Sequence, residues 1–246
     1  MLDKPGRPES GNVLVIIPAF NEEGNIGEVV RKANACRNAD VLVIDDCSTD
    51  NTVMAAKSAG AWVISLPCNM GYGVAIQTGY KYAIRHGYDY LVQIDGDGQH
   101  DPAYIGTMLD ELDKGSADLI IGSRFLGIKA YEIPVFRRIG IKAFSFITFA
   151  LIGQRINDIT SGMQAMNATV IRHFCGDLFP HKYPDADVIL WTIRNNLTVM
   201  EVPVQMHGND EKSMHSGVIH PVKYVFRMIF SMLIMRFLHH AENKVG

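Results

Sequence analysis

Residues 90–100 read Tyr-Leu-Val-Gln-Ile-Asp-Gly-Asp-Gly-Gln-His. A short run ending at Ile94 passes directly into Asp95, and a run of this length without strict alternation reads as a strand covered on both faces. The same form recurs upstream. Residues 13–17 (VLVII) are stopped by Pro18, residues 41–44 (VLVI) end in Asp45-Asp46, and residues 62–66 form a third apolar run. Downstream, residues 119–121 make a fifth. Helical patterns lie between them. The first spans 25–36, with apolar positions Ile26, Val29, Val30 and Ala33; the second runs to Ala59 and is headed by Asp50 or Thr52 as cap. The third spans 72–86, and the fourth reaches Leu112 with Pro102 in its first turn. Five strands alternating with helices predict an α/β fold, a mostly parallel Rossmann-like sheet flanked by helices on both faces. In such sheets ligands bind outside the carboxyl ends of the strands. Residues 18–22, 45–46 and 95–99 are polar clusters at three of those ends, so all three converge on one edge.

Composition agrees. The chain has 246 residues, 48% of them hydrophobic, which is ample for a core and excludes general disorder. With 23 Lys+Arg against 26 Asp+Glu the net charge is −3, so nucleic acid is not an expected partner. Cys36, Cys47, Cys68 and Cys175 are scattered, which reads as reduced thiols of a cytosolic protein rather than a disulfide framework. Residues 1–11 are polar and read as a flexible N-terminus without a signal peptide. No segment reaches the ~20 uncharged residues of a membrane span. Residues 139–153, with Lys142 alone as a charge, and residues 222–238, with Lys223, Arg227 and Arg236, come partway.

After Phe125 the alternation stops. The pattern predicts a helix over 134–153, a polar loop over 158–162, helices near 168–174 and 186–195, and a last strand over 199–204. Residues 206–217 have no period and read as a mobile loop. The last helix offers Val225, Phe226, Ile229, Leu233 and Phe237 on one side, with basic residues able to reach headgroups. It reads as a membrane-interfacial or oligomer contact.

The richest chemistry is in Asp95-Gly96-Asp97-Gly98-Gln99. Two carboxylates one residue apart at the end of a buried strand repel each other unless a cation lies between them. Hard oxygen donors suit Mg²⁺ or Mn²⁺, which keeps waters and takes other ligands from phosphates. The plain alternative is a surface turn, since Asp-Gly is a common turn pair; Glu22 and Asp46 at neighbouring strand ends favour the metal. Residues 18–23, PAFNEE, form a base- and ribose-binding shelf or simply cap a helix. Asp46 abuts a strand rather than a helix, so capping does not explain it. Residues 69–73, NMGYG, follow the third strand, where a dinucleotide fingerprint does not belong, and read as a glycine-assisted helix start. Arg124 follows the fifth strand, placed to grip a diphosphate or to be an ordinary surface arginine.

Taken together, PAFNE (18–22), DDCSTDNT (45–52), NMGYGVA (69–75), DGDGQ (95–99), GSR (122–124) and DITSG (158–162) resemble a family-two, GT-A-fold glycosyltransferase. The branch most resembled contains dolichyl-phosphate mannose synthase and bacterial polyprenyl-phosphate glycosyltransferases. The resemblance covers residues 12 to 204 and implies a glycosyltransferase domain over 12–210, with 211–246 as loop plus amphipathic helix. It implies that Pro18, Phe20, Glu22, Ile44 and Asp46 line the nucleotide pocket. Asp95, Gly96 and Asp97 would form a DxD element, with Asp97 and Gln99, assisted by Asp95, on the metal. Arg124 would meet the diphosphate or sugar phosphate, and Asp187 or Asp185 would face the acceptor or act as base.

The branch closes its donor site with an Arg and a Gly-x-Ser-Lys element; here Gly208 and Met214 stand at the basic positions, leaving Lys212, His207 or His215 as substitutes. The implied function is metal-dependent, inverting transfer of a sugar from a nucleotide-diphosphate donor to a polyprenyl phosphate. The implied place is the cytoplasmic membrane face, with a homo-oligomer as a further possibility. Transfer to a saccharide hydroxyl in cell-envelope polysaccharide synthesis and a non-catalytic nucleotide-sugar-binding subunit are the alternatives. A nucleotidyltransferase is disfavoured because PAFNEEG carries no Lys or Arg.

Overall fold

The computed structural model describes residues 12–36, 39–126, 146, 149, 153–177, 179–180, 184 and 186–206. The readings made above for residues 1–11, most of 134–153, Asp185, the loop beyond Met206 with Lys212, and helix 222–238 lie outside the described residues.

Strand β1 (Val13–Ala19) is the middle of the architecture. Its side chains alternate between two apolar layers: Leu14 and Ile16 face one, Val13, Val15 and Ile17 the other. Strand β2 (Asp40–Asp45) divides in the same way, Leu42 and Ile44 against Val41 and Val43. A sheet covered on both sides needs apolar residues at every position, which is why these strands lack a polar alternation. One layer holds helix α1 (Ile26–Asn34), α2 (Thr52–Ser58) and α4 (Tyr104–Asp113). The other holds α3 (Tyr72–His86), α5 (Ala168–Phe174) and α6 (Ala186–Arg194). The buried face of α1 is Ile26, Val29, Val30 and Ala33, the set its periodicity predicts. Helix α3 approaches β1 closely at Gly79, where a Cβ would stand 2.9 Å from Ile16 carbons.

With β3 (Trp62–Ser65), β4 (Tyr90–Gln93), β5 (Leu119–Ser123), β6 (Gln164–Asn167) and β7 (Val199–Pro203), the sheet has seven strands in the order β3-β2-β1-β4-β6-β5-β7. All neighbouring pairs are parallel except those of β6, which runs antiparallel to both β4 and β5. The chain order reverses between β1 and β4, the topological switch point where such sheets bind ligands. The expected α/β fold with a mostly parallel sheet is therefore observed.

Two details differ from expectation. Pro18 does not stop β1; the strand runs on to Ala19, with Pro18 opposite Ile44 of β2. Ile16 offers its carbonyl to Ile94 on the β4 side, so Pro18, two residues on, faces the same way. The β4 ladder has already ended there, at the Ile16–Gln93 pair, and a missing N–H leaves no partner unsatisfied. The second difference is β6, which was not expected. Gln-Ala-Met-Asn has no β-branched residue and weak strand preference. It is a strand because β4 and β5 both present backbone groups to it, and pairing outweighs propensity.

Candidate active site

Three loops at the carboxyl ends of β1, β2 and β4 build the site, and hydrogen bonds lock the first two together. Asn21, in the left-handed region at φ 56°, donates its N–H to Ser48 Oγ (2.9 Å) and accepts the Thr49 N–H on Oδ1 (2.8 Å). Glu22 N–H donates to Thr52 Oγ1 at 2.7 Å. Glu23 N–H reaches Asp50 Oδ2 at 3.2 Å, and Asn51 N–H returns to Glu23 Oε2 at 2.9 Å. Asp50, not Thr52, serves the start of α2, accepting the Thr52 N–H at 3.0 Å. Much of the polar character of both loops is thus consumed in joining them, which fixes the mouth of the site.

Asp46 is buried at 5% exposure, and its two oxygens accept the N–H groups of Met70 (2.7 Å) and Gly71 (2.9 Å). It pins the start of α3, where Gly71 at φ 90° makes the turn, in keeping with a glycine-assisted helix start. Ile44 is fully buried in the layer under α3, and Pro18 is buried at the end of β1, while Phe20 is 43% exposed beside them.

The β4 loop comes against β1 at Gly96, where a Cβ would stand 3.1 Å from the Pro18 carbonyl oxygen. That close approach brings the acidic clusters together. The Glu22 carboxyl is raised above its ordinary pKa, first by burial and then by the charges of Asp97, Asp50 and Asp95, against a lowering hydrogen bond from Asn25. Asp97 is raised as well, first by burial, with the charge of Asp95 adding to it. Asp97 Oδ1 accepts the Gln99 N–H at 2.9 Å across Gly98, whose φ is 77°. Carboxylates whose ionised forms are disfavoured by burial and by each other are those a cation would stabilise. Among the described residues, no three His, Cys, Asp or Glu side chains already stand together as a preformed metal cage. The donor set of carboxylate and amide oxygens nevertheless fits Mg²⁺ or Mn²⁺, which complete their shells with water and phosphate.

Asp95 is held on several sides. Tyr72 donates its hydroxyl to Oδ1 at 3.0 Å, and the Asp95 backbone N–H donates to His100 Nδ1 at 3.2 Å. Gly162 lies so near that an added Cβ would stand 2.3 Å from Oδ2. Gly162 belongs to the DITSG loop, whose other end holds Arg124. Asp158, fully buried, accepts Arg124 Nε at 2.7 Å, Nη2 at 2.6 Å and the backbone N–H at 3.0 Å. Thr160 Oγ1 accepts Nη2 at 2.9 Å. Glu201 of β7 holds the loop from below, accepting Asn157 N–H and Asp158 N–H at 2.9 and 2.8 Å. Sequence reading left Arg124 between a phosphate contact and an ordinary surface arginine; the structure places it in a bidentate pair with Asp158. Asp187 is buried in the first turn of α6, where Oδ1 accepts the Val188 N–H.

Glu22, Asp95, Asp97 and Gln99 are therefore gathered at the switch point, with Asp46 behind them at the head of α3. Asp158, Glu201, Tyr72, Gln93 and Gly162 were assigned no role from sequence. The resemblance motifs alone pointed to any of them: DITSG contains Asp158 and Gly162, and NMGYGVA contains Tyr72.

The family model described as Glycosyl transferase family 2 matches residues 14–174. The undecaprenyl-phosphate mannosyltransferase of Micrococcus luteus is 32% identical over 218 residues, 84% of this chain and 89% of that protein. The UDP-N-acetylglucosamine–dolichyl-phosphate N-acetylglucosaminyltransferase of Methanococcus voltae is 28% identical over 243 residues, 91% of this chain and 96% of that one. The crystal structure of Mycobacterium tuberculosis glucosyl-3-phosphoglycerate synthase with Mn²⁺, UDP-glucose and glycerol 3-phosphate superposes with a TM-score of 0.65 at 18% identity. That superposition covers 96% of this chain and 86% of the other, and the fold shared is GT-A. The chain belongs to glycosyl transferase family 2 and is a glycosyltransferase.

Proposed function

We propose that this family-2 glycosyltransferase moves a sugar from a nucleotide-diphosphate donor to a polyprenyl phosphate, with Mg²⁺ or Mn²⁺, at the cytoplasmic membrane face. The observation that carries the reading is the convergence of Glu22, Asp95 and Asp97 at the switch point, with the Glu22 and Asp97 carboxyls raised. The relatives from Micrococcus luteus and Methanococcus voltae bear names that specify undecaprenyl phosphate and dolichyl phosphate, and they support the acceptor class. Their sugars differ, so the sugar is left unassigned.

In this reading Asp97 and Gln99, with Asp95 beside them, would hold the cation, which would supply electrophilic support to a leaving diphosphate. Pro18, Phe20, Glu22, Ile44 and Asp46 form the nucleotide pocket. Asp46 acts there by fixing the backbone at Met70 and Gly71 as well as by its own charge. Arg124, oriented by Asp158, would face the diphosphate or the sugar phosphate, with Lys212, His207 or His215 as the basic residue expected over the donor. A phosphate acceptor is already anionic and needs no general base, so Asp187 or Asp185 would face it without taking a proton; a hydroxyl acceptor would require one of them to take its proton. Single displacement inverts the anomeric centre. No described helix is long and apolar enough to cross a membrane. Helical Phe146 and Phe149, 72% and 47% exposed, support a peripheral lipid contact, the role that the sequence also suggests for residues 222–238.

The test is transfer of labelled sugar from UDP-, GDP- and dTDP-linked donors to undecaprenyl phosphate in anionic liposomes. Label should enter the organic phase with Mn²⁺ and not with EDTA. Equal transfer in EDTA, or transfer only to soluble saccharides, overturns the reading.

A further inference from the structure

Gln93, the last residue of β4, is buried and stands two positions before Asp95. Its side-chain amide joins three elements. Oε1 accepts the hydroxyl of Tyr80 from α3. Nε2 donates to Tyr72 Oη at 2.8 Å and to the Gly162 carbonyl at 3.1 Å. Tyr72 in turn donates to Asp95 Oδ1 at 3.0 Å.

The direction of every bond in this chain follows from donor inventory. The Gly162 carbonyl only accepts, so Nε2 must face it and Oε1 must face Tyr80. Burial raises the Tyr80 pKa, which keeps its hydroxyl protonated as a donor. Both Nε2 hydrogens are then used, one on Gly162 and one on Tyr72 Oη. The single Tyr72 hydrogen is left to point at Asp95. The chain Tyr80 to Gln93 to Tyr72 to Asp95 thus delivers an aligned donor to one carboxylate oxygen, and bonds aligned in series polarise one another. The same amide fixes the Gly162 carbonyl, whose residue packs against the other Asp95 oxygen.

From this geometry we infer that Tyr72 and Gln93 are positioning residues, setting the rotamer of Asp95 so that the DxD element accepts a divalent cation with the nucleotide diphosphate. The inference rests on the metal-dependent reading above. Each acts through Asp95, Tyr72 directly and Gln93 by way of Tyr72 and Gly162.

The test is binding of Mn²⁺ in the presence of UDP, followed by loss of the free-ion paramagnetic resonance signal, with UDP binding alone measured by calorimetry. Tyr72→Phe keeps the ring and removes the hydroxyl, which is both the donor to Asp95 and the acceptor of Gln93 Nε2; Tyr72 is half-buried, so the variant should unfold close to the wild-type temperature. It should bind Mn²⁺·UDP about tenfold more weakly, the effect of one lost charge-assisted bond, with metal-free UDP affinity unchanged. The Mn²⁺ concentration for half-maximal transfer should rise in step, and saturating Mn²⁺ should restore kcat. Gln93→Glu, an isosteric change, removes the donor that faces Tyr72 and draws the Tyr72 hydroxyl away from Asp95. It should weaken Mn²⁺ in the same sense with Tyr72 intact. Wild-type Mn²⁺ affinity in Tyr72→Phe overturns the inference, whatever happens to its unfolding temperature, and leaves the functional reading standing. Absence of Mn²⁺ binding in the wild-type UDP complex overturns both.

Discussion

Removing Asp158 tests whether the DITSG loop is the brace the structure makes it. Its carboxylate takes three N–H donors from Arg124, at 2.6, 2.7 and 3.0 Å, and is fully buried, while the Arg124 side chain is 24% exposed. Asp158→Ala leaves a largely buried guanidinium without its counter-charge and an N–H without its acceptor. Breaking a buried ion pair by deleting one partner costs about 3–5 kcal/mol, set against a total stability of roughly 5–15 kcal/mol. For 246 residues, an unfolding entropy of about 2.1 cal/mol/K per residue gives about 0.5 kcal/mol/K, so the melting temperature should fall by about 6–10 °C. Calorimetric unfolding of the purified chain reads this directly. The double variant Arg124→Met/Asp158→Leu removes both charges and should recover most of the loss, because hydrophobic replacement of a buried pair is often neutral. It should not recover nucleotide-sugar binding. A drop below about 2 °C in Asp158→Ala would show that the pair is solvated and refute the reasoning. Full donor binding in the double variant would remove Arg124 from the site.

Gly162→Ala places a methyl 2.3 Å from the Asp95 carboxylate and must displace one of them; we expect loss of about 1–3 kcal/mol of stability and weakened Mn²⁺·UDP binding, both measurable in one thermal-shift titration. Asp46→Asn exchanges an acceptor for a donor against Met70 and Gly71; nucleotide affinity should drop by up to about two decades, and hydrogen exchange at those two amides should accelerate. Glu22 and Asp97 are raised in the folded state, so the stability they contribute is complete below the ordinary carboxylate range and is lost as pH rises through their raised values. The metal-free protein should therefore gain stability from this pair on acidification from neutral towards the ordinary carboxylate range. Glu22→Gln/Asp97→Asn should flatten that slope and melt higher at neutral pH, and an unchanged slope would remove burial and mutual repulsion as the cause.

The elements that sequence made legible are those specified locally. The apolar period of Ile26, Val29, Val30 and Ala33 names the buried face of α1, and the glycine at 71 and the left-handed Gly87 bracket α3. The gathering of acidic clusters at one sheet edge was legible as well, because each cluster abuts a strand end; that Asp46 also fixes the Met70 and Gly71 N–H groups was not. What escaped was non-local. Asp158 meets Arg124 across 34 positions and Glu201 across 43, and Gln93 meets Tyr72 across 21. No periodicity records such pairs. Strand β6 escaped for the same reason: its neighbours, not its own residues, make it extended. Arg124 shows the remaining gap. A cation near phosphate chemistry invites a ligand contact, and sequence does not show that a buried carboxylate already orients it.

The arrangement carries a thermodynamic consequence for the proposed reaction. Glu22, Asp95 and Asp97 make one negative field, and a nucleotide diphosphate adds more charge of the same sign. Neither the loops, already zipped together by Asn21, Glu23, Asp50 and Thr52, nor the buried Asp46 can move away to relieve it. In the proposed reaction a divalent cation held by these carboxylates would offset both repulsions at once. Metal must then tighten nucleotide binding, and by linkage nucleotide must tighten metal binding by the same factor. On the proposed reading the carboxylates alone would hold the metal weakly and the diphosphate alone would be repelled. The donor would then be recognised as a metal complex, and release of the nucleotide diphosphate would lower the hold on the cation as well. Measured as a closed cycle, the two coupling factors must agree. Affinities that fail to respond to each other would place the cation away from the diphosphate and Asp97 outside the donor site.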